Sequence, residues 1–468
     1  MTYRTPPYWT EPRPRNGLGR ALGLTVASTM VWGVAHLSAG RRGTGAALMT
    51  LFAALIGGAA TLALGFREDV ERVAVRPQQL DGVIAAIVVL ALTWAAVVVR
   101  SYQVVRPRRI SAGGQAAAAM AVAILVAAVC APLGLAARDA YALRGTISGI
   151  FQDDPALAGA ELNKPRVNIL LMGGDGAANR QGIRPDSMTV ASIDTATGDT
   201  VLLGLPRNLQ RFAVPPRLRP RWPDGFTGTA PGAEGLLNEM YQAAENDPSL
   251  VPGVPAGRRG PRLMREQISF LLGQPVDFYV LVNLFGFRDI VDAVGGVRLR
   301  VQRDIPFGGP SDGSRPSGVI RAGTRELDGT QALWYARARQ GSSDFARMGR
   351  QKCLMKALAD QADPRRVLTN VGRLADATKK TITTDIPARL LPALVELSGK
   401  VKRGAEVRSL QFVPPRVQVF RPDVRRIRQL AAQALSKSEG PGRPSSPVRR
   451  AQARTNRNQP DPLDTACA

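Results

Sequence analysis

Hydrophobic residues follow two different patterns along this chain of 468 residues. Over about the first 140 residues they form long runs without charge, and beyond that they form short runs separated by polar turns. Long uncharged runs are typical of membrane-spanning helices, whereas short runs bounded by turn residues are typical of buried strands. The pattern therefore predicts an α/β protein in which an N-terminal transmembrane helical unit precedes a globular domain.

Four runs are near or above the roughly 18 residues that a membrane-spanning helix needs. They are Ala21–Ala39, Thr44–Gly65, Gly82–Val99 and Gly114–Ala137. The connection 100–113 contains four arginines and no acidic residue, which predicts a cytoplasmic position, whereas 66–81 balances its arginines with acids and is expected outside. The chain beyond about residue 138 should then lie outside the cell, on a multi-pass protein of the plasma membrane.

The first residues leave two arrangements open. The basic arm 1–20 contains four arginines, which favours a cytoplasmic start, whereas four complete spans require an external one. Either Ala21–Ala39 is a re-entrant or interfacial helix, which leaves three spans, or four spans hold the basic arm outside. The predicted domain faces outward in both arrangements.

Strands and helices alternate after the membrane unit. We predict strands at Arg166–Gly173, Ser187–Asp194, Thr200–Leu205, Phe278–Leu284, Val297–Val301 and Arg408–Val413. We predict helices at Arg262–Leu272, Gly286–Ala293, Asp344–Gln361, Ile386–Leu397 and Asp423–Leu435. This order favours a central mixed sheet flanked by helices. The expected organisation is membrane helices over 21–137, a linker over 138–163, the extracytoplasmic domain over 164–435 and a disordered basic tail over 436–468.

The composition narrows the chemistry. The chain has 62 Lys and Arg against 37 Asp and Glu, a formal net charge of +25, which favours anionic partners such as nucleic acid, anionic lipid, phosphate-bearing substrates or acidic wall polymer. The one histidine lies in a hydrophobic run, so a metal in the domain would need oxygen ligands. The three cysteines, Cys130, Cys353 and Cys467, lack metal-ligand spacing, and we interpret them as structural residues rather than a disulfide framework.

Polar residues cluster where predicted strands end, which is where α/β sheets assemble polar sites. The clusters are Gly173-Gly174-Asp175, Arg184–Met188, Leu205–Asn208, Tyr335–Arg339 and Asp344–Gln351. If Tyr335–Arg339 is extended, Arg337 and Arg339 project from one face. If a helix begins at Asp344, three further side chains share a face: Arg347, Arg350 and Gln351. Guanidinium groups gathered in this way predict a bound anion, and a pyrophosphate would fit.

Asp175 and Asp186 predict a metal site beside the bound anion. Two carboxylates beside phosphate oxygens are typical of a Mg²⁺ site, which Mn²⁺ can also occupy. Taken singly, the residues have structural alternatives: Asp175 as part of a turn, Arg337 as a solvated edge charge, and Asp344 with Arg347 as a surface pair. The same residues taken together, in this order along the chain, are harder to explain by a purely structural role.

The motifs resemble those of the LytR-CpsA-Psr family, in the same order. They are NILLMGGD, RPDSM, LLGLPRN, FRDIVDAVGGV, AGTRELDGTQALWYARAR and SDFARMGRQ, and they span roughly residues 166–362. The multi-span N-terminal unit is similar to that of actinobacterial members. The resemblance implies transfer of a polyprenyl-pyrophosphate-linked glycopolymer onto peptidoglycan through a phosphodiester bond, with pyrophosphatase activity as a side reaction.

The resemblance also assigns roles. Asp175 and Asp186 match metal-binding aspartates. The residues matching arginines that hold the pyrophosphate are Arg184, Arg207, Arg337, Arg339 and Arg347. The polar residues completing that pocket are Asp344, Arg350 and Gln351. The catalytic set would be Asp175, Arg207, Arg337, Arg339, Asp344 and Arg347, and the polyprenyl tail would occupy an apolar tunnel.

Two positions depart from the family pattern. Asn208 stands where an Asp usually follows the motif arginine, and Leu236 stands where a Lys commonly precedes the residue matching Asn238 by two positions. We expect an altered substrate preference from these changes. A catalytically weak envelope scaffold or polyprenyl-lipid binder is the alternative. A DNA-binding transcriptional attenuator fits less well because the domain faces outward, so we expect membrane lipid but no nucleic acid among the partners.

Overall fold

The computed structural model describes residues 17–65, 76–108, 110–151, 161–175, 183–230, 232–309, 315–338, 343–361, 382–436 and 460–463, with single positions 157, 159 and 467. The chain divides into two compact units, Met1–Arg144 and Gly145–Ala468. Several predictions concern positions outside the described residues: most of the basic arm, the connection 66–75, Arg339 and tail residues 437–459.

The N-terminal unit is helical. Its helices are α1 (Leu18–Met30), α2 (Val34–Ser38), α3 (Arg42–Gly65), α4 (Pro77–Val105) and α5 (Ala112–Ile150). Three segments of them, within the described residues, are long and apolar enough to cross a membrane: Arg42–Leu62, Gln78–Val105 and Ala112–Ile150. Helix α5 continues to Ile150, so the first part of the predicted linker is helical.

The first apolar run does not form one continuous helix. It breaks between α1 and α2 at Gly33, where φ is 97°, a left-handed conformation that favours glycine. A Cβ at Gly33 would lie 2.3 Å from the carbonyl oxygen of Gly45. Ser28 Oγ accepts a hydrogen bond from the backbone N–H of Ala35 across the break, at 2.7 Å. A continuous span at Ala21–Ala39 is therefore wrong, and the arrangement with three spanning helices fits better. Which side each connection occupies stays a prediction.

The second unit is an α/β domain. Its strands are β1 (Arg166–Asp175), β2 (Arg184–Asp194), β3 (Thr200–Leu205), β4 (Phe278–Asn283), β5 (Val297–Val301), β6 (Ile305–Phe307), β7 (Gly318–Ile320), β8 (Gly323–Leu327), β9 (Ile382–Thr384), β10 (Val407–Gln411) and β11 (Asp461–Pro462). Its helices are α6 (Glu239–Asn246), α7 (Arg259–Leu272), α8 (Leu284–Ala293), α9 (Gly329–Arg337), α10 (Asp344–Gln361), α11 (Leu391–Lys402) and α12 (Val424–Ser436).

Seven strands form the central sheet, in the order β11-β10-β3-β2-β1-β4-β9. The pairs β1–β4 and β3–β10 are parallel, and the other neighbours are antiparallel, which confirms the mixed sheet. Two short sheets, β5–β8 and β6–β7, form a separate lobe with α8 and α9. The predicted fold class is confirmed.

Local sequence explains these elements. Every residue of β3, sequence TVLLGL, is buried, as expected for a strand covered on both faces. Strand β5, sequence VRLRV, buries alternate residues because its arginines face solvent. Helix α12 buries Ile427, Leu430 and Ala431 at helical spacing against the main core.

Three interpretations made from the sequence differ from the structure. Tyr335–Arg337 is the last turn of α9 and is not extended; the Asp328 carboxylate caps that helix by accepting the N–H of Gln331 at 2.7 Å. Disorder over the whole tail 436–468 is wrong, since β11 pairs with β10 and Cys467 forms a disulfide with Cys353. A pairing across 114 residues leaves no local pattern in the sequence, so our interpretation of these two cysteines was also wrong.

Gly329 generates the first prediction. It begins α9, and a Cβ there would lie 2.1 Å from the backbone carbonyl oxygen of Arg288 in α8. Because backbone cannot move aside as a flexible side chain can, Gly329→Ala should lower the free energy of unfolding by about 1–3 kcal/mol. Urea unfolding of the full chain in detergent, followed by tryptophan fluorescence, measures the change.

Gly349→Ala is the matched control. Gly349 lies inside α10, and a Cβ there would meet no atom within 4 Å. Alanine should stabilise this helix by about 0.5–1 kcal/mol. Equal effects of the two substitutions would contradict the close approach of α9 to α8.

Candidate active site

A cavity of about 1300 Å³ lies among the ends of β1, β2 and β4, the helices α8 to α10, and the loop after β5. Much of its wall is apolar. The apolar lining includes Leu171, Val280, Val282, Leu284, Phe287, Phe307, Leu333, Trp334, Leu354 and Met355. Phe307 and Trp334 stack with their ring centroids 5.5 Å apart. This part of the cavity suits a long hydrocarbon group.

Charged side chains line the same cavity. Among the described residues five arginines contribute to its wall: Arg184, Arg207, Arg303, Arg337 and Arg347. Two aspartates do so, Asp186 and Asp304, and Asp304 pairs with Arg321 at 2.7 Å. The positive charge of the arginines therefore exceeds the negative charge beside them, which favours an anionic ligand.

A β-bulge places Asp186. In the β1–β2 pairing Gly173 lies opposite Ser187 and Gly174 lies opposite Pro185, so Asp186 is the extra residue of β2. Bulges commonly redirect side chains beside active sites. The Asp186 carboxylate here forms an ion pair with the Arg207 guanidinium from the loop after β3.

Arg347 ties α10 to the sheet. Its side chain is 2% exposed, and its Nε and Nη2 lie 3.1 and 3.0 Å from Oδ1 of Asp344. Its Nη1 donates to the backbone carbonyl of Asp186 at 2.9 Å. Arg207 approaches the same carboxylate, with Nε 3.8 Å from Asp344 Oδ1. Asp344, Arg347, Asp186 and Arg207 thus form one connected group.

Gln351 and Arg350 have different surroundings, although the sequence predicts that both bind substrate. Gln351 lines the cavity and donates to the carbonyl of Ala336 at 3.2 Å. Arg350 donates to the carbonyls of Tyr335 and Ala338 at the end of α9, and it does not line the cavity. Burial lowers the pKa of the Arg350 guanidinium, and the nearby charges of Arg303 and Arg347 act in the same direction. The described contacts of Arg350 hold α9 against α10.

The two departures from the motif pattern lie at the cavity. Asn208 and Leu236 both line it, as does Asn238. An isolated antiparallel β-bridge between Gln210 and Leu236 brings the segment of Asn208 beside the segment of Leu236 and Asn238. The side-chain amide oxygens (Oδ1) of Asn208 and Asn238 are buried, and neither accepts a hydrogen bond within the described part of the chain. These oxygens are acceptors for a ligand hydroxyl or N–H.

The structure brings together most of the predicted site. Six predicted residues line the cavity: Arg184, Asp186, Arg207, Arg337, Arg347 and Gln351. Asp344 joins them through its pairs with Arg207 and Arg347. The backbone of Asp175 ends β1 opposite Arg184, and Arg339 lies outside the described residues.

The sequence did not reveal several lining residues. Arg303 follows β5 and belongs to no motif, so its approach to the cavity depends on how the small lobe folds. The aromatic residues Phe287, Phe307 and Trp334 come from three separate segments. Their sequence signal, an aromatic within a short apolar run, is the same as that of any core residue.

The carboxylates suit a divalent cation in their chemistry. Mg²⁺ takes oxygen ligands and commonly uses one or two carboxylates together with substrate phosphate. Asp186 supplies such a carboxylate at the bulge, and the β1–β2 register places the backbone of Asp175 on the neighbouring strand. Within the described residues no group of three or more His, Cys, Asp or Glu gathers. The metal stays a prediction.

Residues 151–418 match the model of the LytR_cpsA_psr family. The chain belongs to the LytR_cpsA_psr family. The resemblance inferred from the ordered motifs is therefore confirmed, and the match covers the domain that contains the cavity.

Relatives within the LytR_cpsA_psr family have named activities. Polyisoprenyl-teichoic acid–peptidoglycan teichoic acid transferase TagV of Bacillus subtilis is 26% identical over 229 residues, 48% of this chain and 51% of TagV. The corresponding TagU of Bacillus anthracis is 27% identical over 222 residues, 47% of this chain and 60% of TagU. The chain thus spans about half to three fifths of the curated relatives it matches.

Solved structures are similar to part of the chain. The crystal structure of B. subtilis TagV is 24% identical, with a TM-score of 0.41, and the match covers 59% of this chain and 98% of that one. A structure of TagT bound to LI-WTA is 18% identical, with a TM-score of 0.40, covering 59% and 91%.

Arg347 generates the second prediction. Arg347→Met keeps much of the volume but removes the bonds to Asp344 and to the Asp186 carbonyl. Because hydrogen bonds to charged groups contribute about 1.5–3 kcal/mol, we expect a loss of that size in the free energy of unfolding, measured by urea denaturation.

Asp360→Asn is the control on the same helix. Asp360 pairs with Lys356 at the exposed end of α10. An exposed pair of this kind contributes below about 0.5 kcal/mol, so the control should unfold almost as the unmodified chain does. Similar losses in the free energy of unfolding of both variants would show that the contacts of Arg347 contribute no more to stability than an exposed ion pair does.

Proposed function

We propose that this protein is a phosphotransferase that moves a polyprenyl-pyrophosphate-linked glycopolymer onto peptidoglycan. One observation carries the proposal: a single cavity of about 1300 Å³ combines an arginine-lined polar region with an apolar region. A ligand that fills both parts must combine an anionic group with a long hydrocarbon. A polyprenyl pyrophosphate has this composition, and guanidinium groups bind its phosphates in a bidentate manner.

The named relatives support the same chemistry. TagV and TagU are described as transferases of teichoic acid from a polyisoprenyl carrier to peptidoglycan. Three apolar helices precede the domain and are suited to anchoring it at a membrane, where a polyprenyl lipid resides. We propose that the domain acts outside the cell and that its partners are the lipid-linked glycan, membrane lipid and peptidoglycan.

The proposed reaction is direct phosphoryl transfer. A hydroxyl oxygen of a peptidoglycan sugar forms a bond to the phosphorus nearer the glycan, and the bond from that phosphorus to the bridging oxygen breaks. Polyprenyl phosphate leaves with the bridging oxygen. The hydroxyl proton passes either to the carboxylate of Asp344, which Arg347 holds at the start of α10, or to a carboxylate of the proposed metal site. Water in place of the sugar hydroxyl would give the pyrophosphatase side reaction.

The protein's part is mainly positioning and charge stabilisation. Arg184, Arg207 and Arg337 reach the cavity from three different elements, so they can surround a pyrophosphate. Arg339 joins them in the proposal. Asp175 and Asp186 would hold Mg²⁺ or Mn²⁺, whose charge would offset that developing on the phosphates.

Leu236 and Asn208 favour a second candidate, a polyprenyl-lipid-binding envelope scaffold. Both side chains line the cavity, and neither carries the charge expected from the motif pattern. A scaffold would need the apolar cavity but no transfer. The two candidates differ in turnover and agree in lipid binding.

A transfer assay generates the third prediction. The full chain in detergent is incubated with a short-chain polyprenyl-pyrophosphate glycan, Mg²⁺ and peptidoglycan fragments, and mass spectrometry follows polyprenyl phosphate and glycan-phosphate on the acceptor. Asp175→Ala and Arg337→Ala should each lower the rate at least about a hundredfold, because the first removes a carboxylate that would hold the metal ion and the second removes a positive charge beside the phosphates.

Asp224→Ala and Arg219→Ala are the matched controls, since both residues are exposed and lie away from the cavity lining. They should retain the full rate. Tight binding of the lipid without turnover, across several donors, would contradict the transferase and leave the scaffold.

A further inference from the structure

The described residues near the end of the chain, 460–463 and Cys467, lie at the side of the central sheet on which α10 also packs. Residues 461–462 extend the sheet beside β10, with Asp461 opposite Ser409. The next residue, Leu463, is 0% exposed and packs among Ala191, Leu202 and Val407. We refer to residues 460–463 together with Cys467 as the C-terminal clasp.

Three contacts join the C-terminal clasp to α10. Cys467 forms the disulfide with Cys353 in the middle of that helix. Lys352 Nζ lies 3.8 Å from the Asp461 carboxylate. Met355 packs against the cluster that contains Leu463. Contacts of three kinds, covalent, ionic and apolar, thus meet on one face of α10.

The opposite face of α10 belongs to the small lobe. Leu354 and Ala357 pack in the lobe's core, and the Gln361 side chain bonds to both backbone groups of Arg298 in β5. The helix therefore lies between the lobe and the clasp. Its first half carries Arg347 and Gln351, which line the cavity, and Gln351 is only two residues before Cys353.

We propose that the C-terminal clasp is an oxidation-dependent lock that holds α10 in the position at which Arg347 and Gln351 face the anion site. Closing the disulfide adds a covalent attachment between the middle of the helix and the sheet, and opening it leaves the helix to be positioned by non-covalent contacts, namely those with the lobe and the bond from Arg347 to the Asp186 carbonyl. Cys353 and Cys467 are positioning residues in this view, because they act on the ligand through α10. The inference rests on the proposed function for the identity of the anion.

The lock closes by thiol–disulfide exchange. The Cys353 thiolate attacks one sulfur of a disulfide-bearing oxidant, forms a mixed disulfide and releases one thiolate. The Cys467 thiolate then attacks Cys353 Sγ and releases the second oxidant thiolate, so two protein thiols are oxidised and one oxidant disulfide is reduced to two thiols. Both cysteines are partly exposed, which allows an oxidant to reach them. An oxidising extracytoplasmic compartment would keep the bond closed.

The test uses the full chain in detergent, poised in dithiol–disulfide buffers of stepped potential. Alkylation and mass measurement count free thiols, calorimetry measures inorganic pyrophosphate binding, and hydrogen exchange follows the amides of α10. Reduction should weaken pyrophosphate binding about tenfold, or 1.4 kcal/mol, at the same potential at which two thiols appear. Exchange in α10 should become faster, exchange in β1 and β2 should stay constant, and reoxidation should restore both signals.

Variants separate the lock from a general loss of structure. The double substitution Cys353→Ser with Cys467→Ser should behave as the reduced protein at every potential. Leu463→Asn should weaken binding with the disulfide intact, because it disrupts the clasp elsewhere. Cys130→Ser, which removes a cysteine outside the disulfide, should respond to reduction as the unmodified chain does.

Each outcome decides the proposal. Unchanged α10 exchange and unchanged pyrophosphate affinity while the two thiols form would overturn the lock. A chain that binds no pyrophosphate in either state contradicts the proposed function instead. The exchange of α10 then decides the lock by itself: faster exchange on reduction supports it, and constant exchange overturns it.

Discussion

The guanidinium of Arg347 is 2% exposed, and a charge so far from water needs compensation from its neighbours. The Asp344 carboxylate and the Asp186 backbone carbonyl provide it, at 3.0 and 2.9 Å. One partner lies at the start of α10 and the other at the bulge of β2, so satisfying this charge fixes the helix against the sheet. The other polar groups of the site are arranged around this contact. Arg207 reaches both Asp186 and Asp344, and Gln351 lies one turn after Arg347 on the same helix.

The same constraint explains why the site favours an anion. Asp186 and Asp344 are engaged by Arg207 and Arg347, and three further arginines, Arg184, Arg303 and Arg337, line the same cavity. Arginines thus outnumber aspartates along its described wall, beside apolar residues that weaken screening by water. The pyrophosphate of the proposed substrate would lie beside this positive charge. Arg207 and Arg347 line the cavity and also hold the carboxylates in place, whereas Arg350, which bonds to the carbonyls of α9, does not line the cavity.

Much of the fold follows from local patterns. Thr200–Leu205, Val297–Val301 and Asp344–Gln361 have the predicted bounds, because their burial follows a continuous, alternating or helical pattern that is visible in the sequence. The misjudged elements depend on distant partners. Cys467 finds Cys353 across 114 residues, and Leu463 is buried only because β10 and α10 are already in place. Within the site, ordered motifs identified most of the charged residues of the lining, but the direction of Arg350 depends on how α9 packs against α10.

Leu236 and Asn208 show how the cavity can change without loss of the fold. Gln210 and Leu236 still pair, and the backbone N–H of Asn238 donates to the carbonyl of Arg207, so the loop geometry does not require charge at these positions. Leu236 and Asn208 instead alter the part of the cavity wall that would face a ligand. Leu236 extends the apolar wall, while the buried oxygens of Asn208 and Asn238 offer neutral acceptors. In the proposed function Arg184, Arg207, Arg337 and Arg347 would bind the phosphates, and the group recognised beside the phosphates would be what differs. Leu236 and Asn208 would then bear on which glycan is selected more directly than on the proposed phosphoryl transfer.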